Sequence, residues 1–327
     1  MLFLESKETD PYFNLALEEY LFEHMDQTKQ YFMLWQNYNT IVVGKYQNTV
    51  EEINLRFVED HGIHVVRRLS GGGAVYHDQG NLNFTFIVDQ KSAPDFNFSV
   101  FVVPIIKVLE QLGVRAEFNG RNDITIDGKK FSGNSQYAKH GRLLHHGCIM
   151  LDSNLTDVSQ ALKVREAKFE SKSVKSVRSR VTTINAHAPK PISMEQFKTM
   201  LKKYVLQTGE LEEIVLREDQ LEQVYRLRDE KYATWDWTFG CSPSYSLRLE
   251  RKFDAGLVTI DLNAEAGTIQ DIQFHGDFFG CGDITELECA MASLRLDHNL
   301  AEHLEKLNVG YYLNGISAKD IADMLLY

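Results

Sequence analysis

The chain predicts an α/β fold of the α+β kind: a large domain on a mixed or antiparallel sheet, then a small C-terminal α/β appendix. Three observations carry this. Strand-length apolar runs alternate with helical periodicity as far as Trp237. A glycine-rich loop joins strand to strand, where the common nucleotide folds join strand to helix. Turn-forming Gly240, Ser242, Pro243 and Ser244 precede a short meander. The boundary is placed there, giving domains 1–243 and 244–327.

Asp10-Pro11 reads as an N-cap with proline in the first turn, and Phe13, Leu17, Tyr20 and Leu21 recur at helical spacing, predicting a helix over 11–26. Tyr31–Trp35 and Thr40–Tyr46 read as strands. Ile53, Phe57 and Val58 mark a helix that stops at Gly62. A strand runs through Asn81–Val88, and residues 98–112 place seven apolar side chains on one helical face before Gly113. Residues 114–151 are strand-rich. Asp127-Gly128 is a two-residue hairpin signal, and His140-Gly141 a weaker one. Periodicity breaks over 164–182, where Lys168, Lys172, Lys175, Arg178 and Arg180 alternate with serines, and returns near 194–206 and 216–229. Leu247–Phe253, Leu257–Leu262 and Thr268–Phe274 predict the meander, with a last helix near Ala318–Leu326.

The 327 residues are 43% hydrophobic and 25% charged, ordinary for a globular chain of one or two domains. A formal net charge of −11 argues against a nucleic-acid or membrane partner, so any anion site needs local cations. Cys148, Cys241, Cys281 and Cys289 form no CxxC pair. With no signal-peptide pattern and no apolar run of membrane length, a cytoplasmic location is expected.

The segment Arg67-Arg68-Leu69-Ser70-Gly71-Gly72-Gly73-Ala74-Val75-Tyr76-His77-Asp78 carries the clearest chemical signal. Three successive glycines are entropically costly and suit a place where a ligand lies on bare backbone. Freed N–H groups and flanking arginines suit a phosphate or carboxylate; the bland alternative is a hairpin beside two surface arginines. Lys129 and Lys130 alternate faces of a strand, as do His145 and His146, and spacing does not choose within either pair. The histidines complete no tetrahedral metal pattern. Cys148 lies in an apolar strand and reads as a buried thiol. The 164–182 segment is either a solvated loop or a cover for an anionic ligand. Trp235-Asp236-Trp237-Thr238-Phe239 reads as a packing cluster.

These motifs together resemble the lipoate–protein ligase A family of the biotin/lipoate ligase superfamily. The likeness rests on the Arg67–Asp78 segment, Asn14-Leu15-Ala16-Leu17-Glu18-Glu19, Val43-Gly44-Lys45-x-Gln47-Asn48, Gly120-Arg121-Asn122-Asp123, Lys130-Phe131-Ser132-Gly133, His145-His146-Gly147, Ser176-Val177-Arg178-Ser179-Arg180-Val181 and Trp235-x-Trp237-x-Phe239-Gly240-x-Ser242-Pro243, all in family order. The resemblance implies a catalytic domain of the biotin/lipoate ligase kind. It implies activation of lipoate by ATP, with Mg2+, to lipoyl-adenylate and pyrophosphate. Acyl transfer then goes to a lysine of apo lipoyl domains, those of 2-oxoacid dehydrogenase acyltransferase subunits and the glycine cleavage H protein.

By that resemblance Lys130 is the catalytic residue, bridging carboxylate and phosphate as an electrophile. Arg68, Gly73, Ala74, Val75, Tyr76, Asn122, Asp123 and Arg178 would join it in binding ATP and the adenylate. Arg67, Ser70, His77 and His146 would join it around lipoate. No metal ligand is assigned. Ser173 stands where many members have glycine, and Cys148 where a small polar residue is common. Two other readings are weighed: an ATP-independent octanoyl or lipoyl transferase on the same scaffold, which a reactive thiol would favour, and a non-catalytic lipoate-binding protein, which the retained Lys130 disfavours.

Overall fold

A computed structural model describes residues 1–47, 49–92, 97–162, 180–207, 212–239, 247–265, 268–296 and 299–326. The first strands are β1 (Leu2–Glu5), β2 (Tyr31–Trp35), β3 (Thr40–Val43), β4 (His64–Arg67), β5 (Val75–His77) and β6 (Asn81–Asp89). Next come β7 (Glu117–Phe118), β8 (Asp123–Ile126), β9 (Lys129–Lys139), β10 (Arg142–Met150) and β11 (Glu212–Glu213). The last are β12 (Leu247–Phe253), β13 (Gly256–Glu265) and β14 (Thr268–Gly276). The main sheet has eight strands in the order β11-β1-β2-β6-β10-β9-β8-β7. β1 runs parallel to both its neighbours; the pairs from β2 to β7 are antiparallel, so the sheet is mixed. A smaller sheet, β4-β3-β5, carries the glycine loop between β4 and β5, and β12-β13-β14 forms the C-terminal meander.

The first helix begins as its sequence dictates: the Asp10 carboxylate accepts the Tyr12 N–H at 2.9 Å and Pro11 fills the first turn. It ends at Glu23, short of the expected 26, where Asp26 takes the N–H and hydroxyl of Thr28 and turns the chain toward β2. β3 ends at Val43 where a strand to Tyr46 was expected. The Gly44 N–H is donated to the Gln47 side chain at 2.8 Å, and the Gln47 N–H returns to the Gly44 carbonyl. The helix expected around Ile53–Val58 is two short ones, Thr49–Glu52 and Leu55–Asp60, divided at Asn54, which caps the second. Asp127 and Gly128 (φ 51° and 74°) form the hairpin turn between β8 and β9. His140 and Gly141 (φ 52° and 77°) turn β9 into β10 in the same left-handed backbone. The basic segment at 164–182 lies outside the described residues except for 180–182.

The two faces of the main sheet are covered differently. On one, the helix Ser99–Gln111 buries Phe101, Val102, Ile105, Val108 and Leu109 against Phe32, Leu34, Phe84 and Phe86. On the other, the helix Pro11–Glu23 sets Leu15, Leu17 and Leu21 against Met33, Trp35 and Leu144. The site lies on this second face. The C-terminal meander packs helices Ile284–Met291, Leu300–Lys306 and Ala318–Leu326 into a core of its own. One residue of that core comes from far upstream: Tyr46 stacks on Phe278 with ring centroids 4.8 Å apart, and the Gly276 N–H donates to its carbonyl at 2.6 Å.

Candidate active site

Strand register builds the floor. Trp35 pairs with Asn83, Asn83 with Cys148, and Cys148 with Gly133, forming one row across β2, β6, β10 and β9. At roughly 4.8 Å between strands the row spans about 14 Å. Two residues along, Met33, Thr85, His146 and Ser135 form the neighbouring row on the same face. Trp35, Asn83, Cys148, Gly133, Ser135 and His146 line a cavity that Leu15, Val42 and Val75 close on the apolar side. Gly147 lies in the floor; a Cβ there would come within 2.5 Å of Asn134 Oδ1.

Lys130 stands at the Gly133 end. A Cβ on Gly133 would lie 2.9 Å from Lys130 Nζ, so the glycine makes room for the ammonium. The ammonium also pairs with Asp123 at 2.8 Å, with both side chains part-exposed. An irregularity between Ile124 and Thr125 shifts the β8–β9 register opposite Lys130, and the Thr182 N–H donates to the Lys130 carbonyl at 2.8 Å. Lys129 is exposed.

Arg68 supplies the second cation. Its guanidinium donates to the carbonyls of Gly71 (2.6 Å) and Gly73 (2.9 Å), to that of Val42 (3.2 Å) and to the Ser70 hydroxyl (3.1 Å). The glycine loop therefore turns carbonyls toward this arginine, and the Gly72 N–H points to the Phe278 carbonyl at 3.4 Å. A Cβ at Gly71 would overlap that same Phe278 oxygen, so bare backbone here also admits the C-terminal domain. Burial pulls the Arg68 pKa down to about 10.

His77 is buried and lines the cavity beside Trp35. The amides of Asn37 (3.3 Å) and Asn83 (3.5 Å) approach its Nδ1, which makes Nδ1 the acceptor and leaves the proton on Nε2. Burial first, then the nearby Arg68 and His146, lower its pKa to about 3. His146 holds the Glu18 carboxylate at 2.9 Å through Nδ1 and the Ser70 hydroxyl at 2.6 Å through Nε2. Its neighbour His145 belongs to the opposite face, stacked on Phe101 at 4.3 Å and bonded to Gln136 and Asn134. Cys148 is buried and desolvation raises its pKa, so it is held as a thiol.

Of the expected site residues, Arg68, Gly73, Ala74, Val75, His77, Asn122, Lys130 and His146 come together around this cavity. Arg67 does not. The pleat turns it the other way, where it donates to the carbonyls of Gly44, Lys45, Gln47, Trp237 and Thr238 and to the Thr49 hydroxyl. Trp237 returns an indole N–H to the Arg67 carbonyl at 2.9 Å, so the tryptophan cluster packs on this arginine. Ser70 sits behind the wall, between Arg68 and His146. Tyr76 faces a separate cavity and donates to Asn39 at 2.7 Å. Asp123 is not among the lining residues; it pairs with Gly133 across the strands and its carboxylate holds the Lys130 ammonium. Arg178 lies outside the described residues.

Sequence reading missed Glu18, Trp35, Thr85, Asn83 and Asn134. Asn14 and Glu18 are one helical turn apart and both fully buried, and two polar residues at that spacing inside an apolar helix were the available signal. Among the described residues no group of three or more His, Cys, Asp or Glu side chains is placed to hold a metal, and no helix is long and apolar enough to cross a membrane.

Residues 10–206 match the model of the lipoyl protein ligase A/B catalytic domain, and residues 242–325 that of the bacterial lipoate protein ligase C-terminus. The lipoate-protein ligase LplJ of Bacillus subtilis is 42% identical over 330 residues, covering 99% of this chain and all of the relative. Among solved structures, P. falciparum LipL1, crystallised with lipoate, superposes with a TM-score of 0.78 at 22% identity, over all of this chain and 98% of that one. At that identity the likeness to LipL1 shows the fold alone. A bi-partite lipoate protein ligase from Thermoplasma acidophilum, described with its E2 lipoyl domain, gives 0.63 at 26% identity over 75% of this chain and 98% of its own. With family models over residues 10–206 and 242–325 and a relative matched along its whole length, this chain belongs to the lipoate–protein ligase family.

Proposed function

We propose that this chain activates lipoate with ATP and passes the lipoyl group to a lysine of lipoyl domains. The observation that carries the reading is the lining of one cavity. Two cations, Lys130 and Arg68, share it with the apolar side chains of Leu15, Trp35, Val42 and Val75, and among the described residues no carboxylate lines it. Such a lining suits an amphiphilic acid meeting a phosphate. The lipoate carboxylate oxygen attacks the α-phosphorus and the bond to the β-phosphate breaks, releasing pyrophosphate. The acceptor amine then attacks the acyl carbonyl and AMP leaves.

Both anions in the first step repel one another, and Lys130 is placed to offset that charge as it is shared between them. In this reading Asn122, Gly73, Ala74 and Val75 shape the nucleotide side, and His77 and His146 the acyl side, with residues 1–243 as the catalytic part and 244–327 as accessory. Arg178 would add a cation over the adenylate. Mg2+ would offset the phosphate charge, and Asp123, the carboxylate paired with Lys130, is the residue that could help hold it. The acceptors would be acyltransferase subunits of 2-oxoacid dehydrogenases and the H protein, in the cytoplasm. The buried, protonated Cys148 speaks against a thioester route.

The test is pyrophosphate release from ATP with and without lipoate, followed by an apo lipoyl domain. Lipoate-dependent release ending in a lipoylated lysine is expected. Acyl transfer from octanoyl carrier protein without ATP, or neither activity, overturns the proposal.

A further inference from the structure

We infer that Glu18, a residue with no place in the reaction itself, is the positioning residue that sets the His146 tautomer and, through Ser70, the aim of Arg68. The atoms form one continuous chain. Arg68 Nε–H donates to Ser70 Oγ at 3.1 Å, Ser70 Oγ lies 2.6 Å from His146 Nε2, and His146 Nδ1 lies 2.9 and 3.0 Å from the two Glu18 oxygens. A second branch reaches the acyl end: Trp35 Nε1–H donates to Thr85 Oγ1 at 3.0 Å, and the Thr85 hydroxyl donates to Glu18 Oε1 at 2.6 Å. Glu18 is 1% exposed and is where both branches end.

The directions follow from chemistry. A carboxylate only accepts, so Nδ1 of His146 carries the proton and Nε2 is the acceptor for Ser70 O–H. That commits the serine hydrogen to the histidine and leaves a lone pair for Arg68. Every group in the chain is then satisfied. The alternative tautomer places N–H on Nε2 and leaves the Ser70 hydrogen, in a residue 1% exposed, to find another acceptor. Arg68 in turn holds the carbonyls of Gly71 and Gly73, so an error in the tautomer is passed to the loop.

Serine, histidine and acid in this order have the geometry of a hydrolase triad, but Ser70 does not line the cavity and has no approach for an acyl carbonyl. The chain orients an arginine; it does not make a nucleophile. Changing the acid of such a triad to its amide is known to leave geometry intact while favouring the wrong tautomer. Glu18→Gln should do the same here.

The test uses the full chain with histidine labelled with 15N, and steady-state kinetics with ATP and lipoate; only the kinetic half rests on the proposed function. The parent should show His146 unprotonated at Nε2, and Glu18→Gln should move the proton there. Glu18→Gln and Ser70→Ala should each raise KM for ATP about tenfold with a smaller change in kcat, because a ground-state contact is lost. The double variant should be no worse than either single one, since both cut the same chain. Retention of the Nδ1 proton in Glu18→Gln, or multiplication of the two KM effects, overturns the inference. Should Glu18→Gln not fold, Ser70→Ala decides alone: an unchanged KM for ATP overturns it. A parent that uses no ATP sinks the functional proposal, while the tautomer measurement still judges the chain.

Discussion

Compare the two faces that meet at three doublets: Arg67 and Arg68, Lys129 and Lys130, His145 and His146. Each doublet sends one member to the cavity and the other elsewhere. Arg68, Lys130 and His146 line the cavity. Arg67 ties five carbonyls and a hydroxyl together, Lys129 is in solvent, and His145 stacks in the core against Phe101. Chemically equal neighbours acquire unequal tasks because a strand alternates its side chains. A repeated residue type in this chain therefore does not mean a doubled site.

The largest test of the contrast is at the lysines. Lys130→Ala should lower lipoate-dependent pyrophosphate release by about two to three decades, the usual effect of losing a charge contact made in the transition state, while Lys129→Ala stays near the parent. Equal losses in the two variants would erase the distinction. At the arginines the contrast is one of stability. Arg67→Ala strands several buried acceptors and should cost roughly 3–5 kcal/mol in chemical denaturation. Folded enzyme that remains should keep its KM values; a raised KM for lipoate at unchanged stability would return Arg67 to the ligand.

The histidines give the smallest effect, and it depends on pH. Burial first, then the nearby His146, holds the His145 pKa well below the ordinary 6.5. A base whose folded pKa is depressed binds its proton more readily in the unfolded chain. Its contribution is complete above pH 6.5 and is lost as pH falls toward the folded value. The slope is about 1.4 kcal/mol per pH unit per histidine. His145→Gln should flatten the stability curve in that acid range, and an unchanged slope would show that His145 is not held neutral in the fold.

Much of this was legible in sequence because local chemistry decided it. Asp127-Gly128 needs no tertiary help to turn, and Asp10-Pro11 starts a helix by itself. The glycines of the Arg67–Asp78 segment marked bare backbone, and Gly72 and Gly73 do line the cavity. What the segment could not declare was direction: alternation says that Arg67 and Arg68 diverge, but the tertiary partners Trp237 and Thr238, far along the chain, decide which is occupied. The same is true of Gly71, whose missing side chain reads as room for a phosphate yet also admits Phe278. Glu18 was hidden for a different reason. A carboxylate in a helix is ordinarily a surface residue; its spacing from Asn14 is a faint signal, and it is the sheet beneath, bringing Thr85 and His146 within reach, that gives it partners.

Tyr46 has a consequence for where this protein can be cut. The turn after Val43 leaves its ring inside the C-terminal core, stacked on Phe278, while its carbonyl anchors Gly276. The seam between the two halves thus does not follow the order of the chain: a tenon from the first part is mortised into the second. A fragment starting at residue 244 would be made with that mortise empty, and its neighbour with the tenon bare, so the accessory part is a joint to be inherited whole with residues 44–47 and not a module that can be lent to another enzyme.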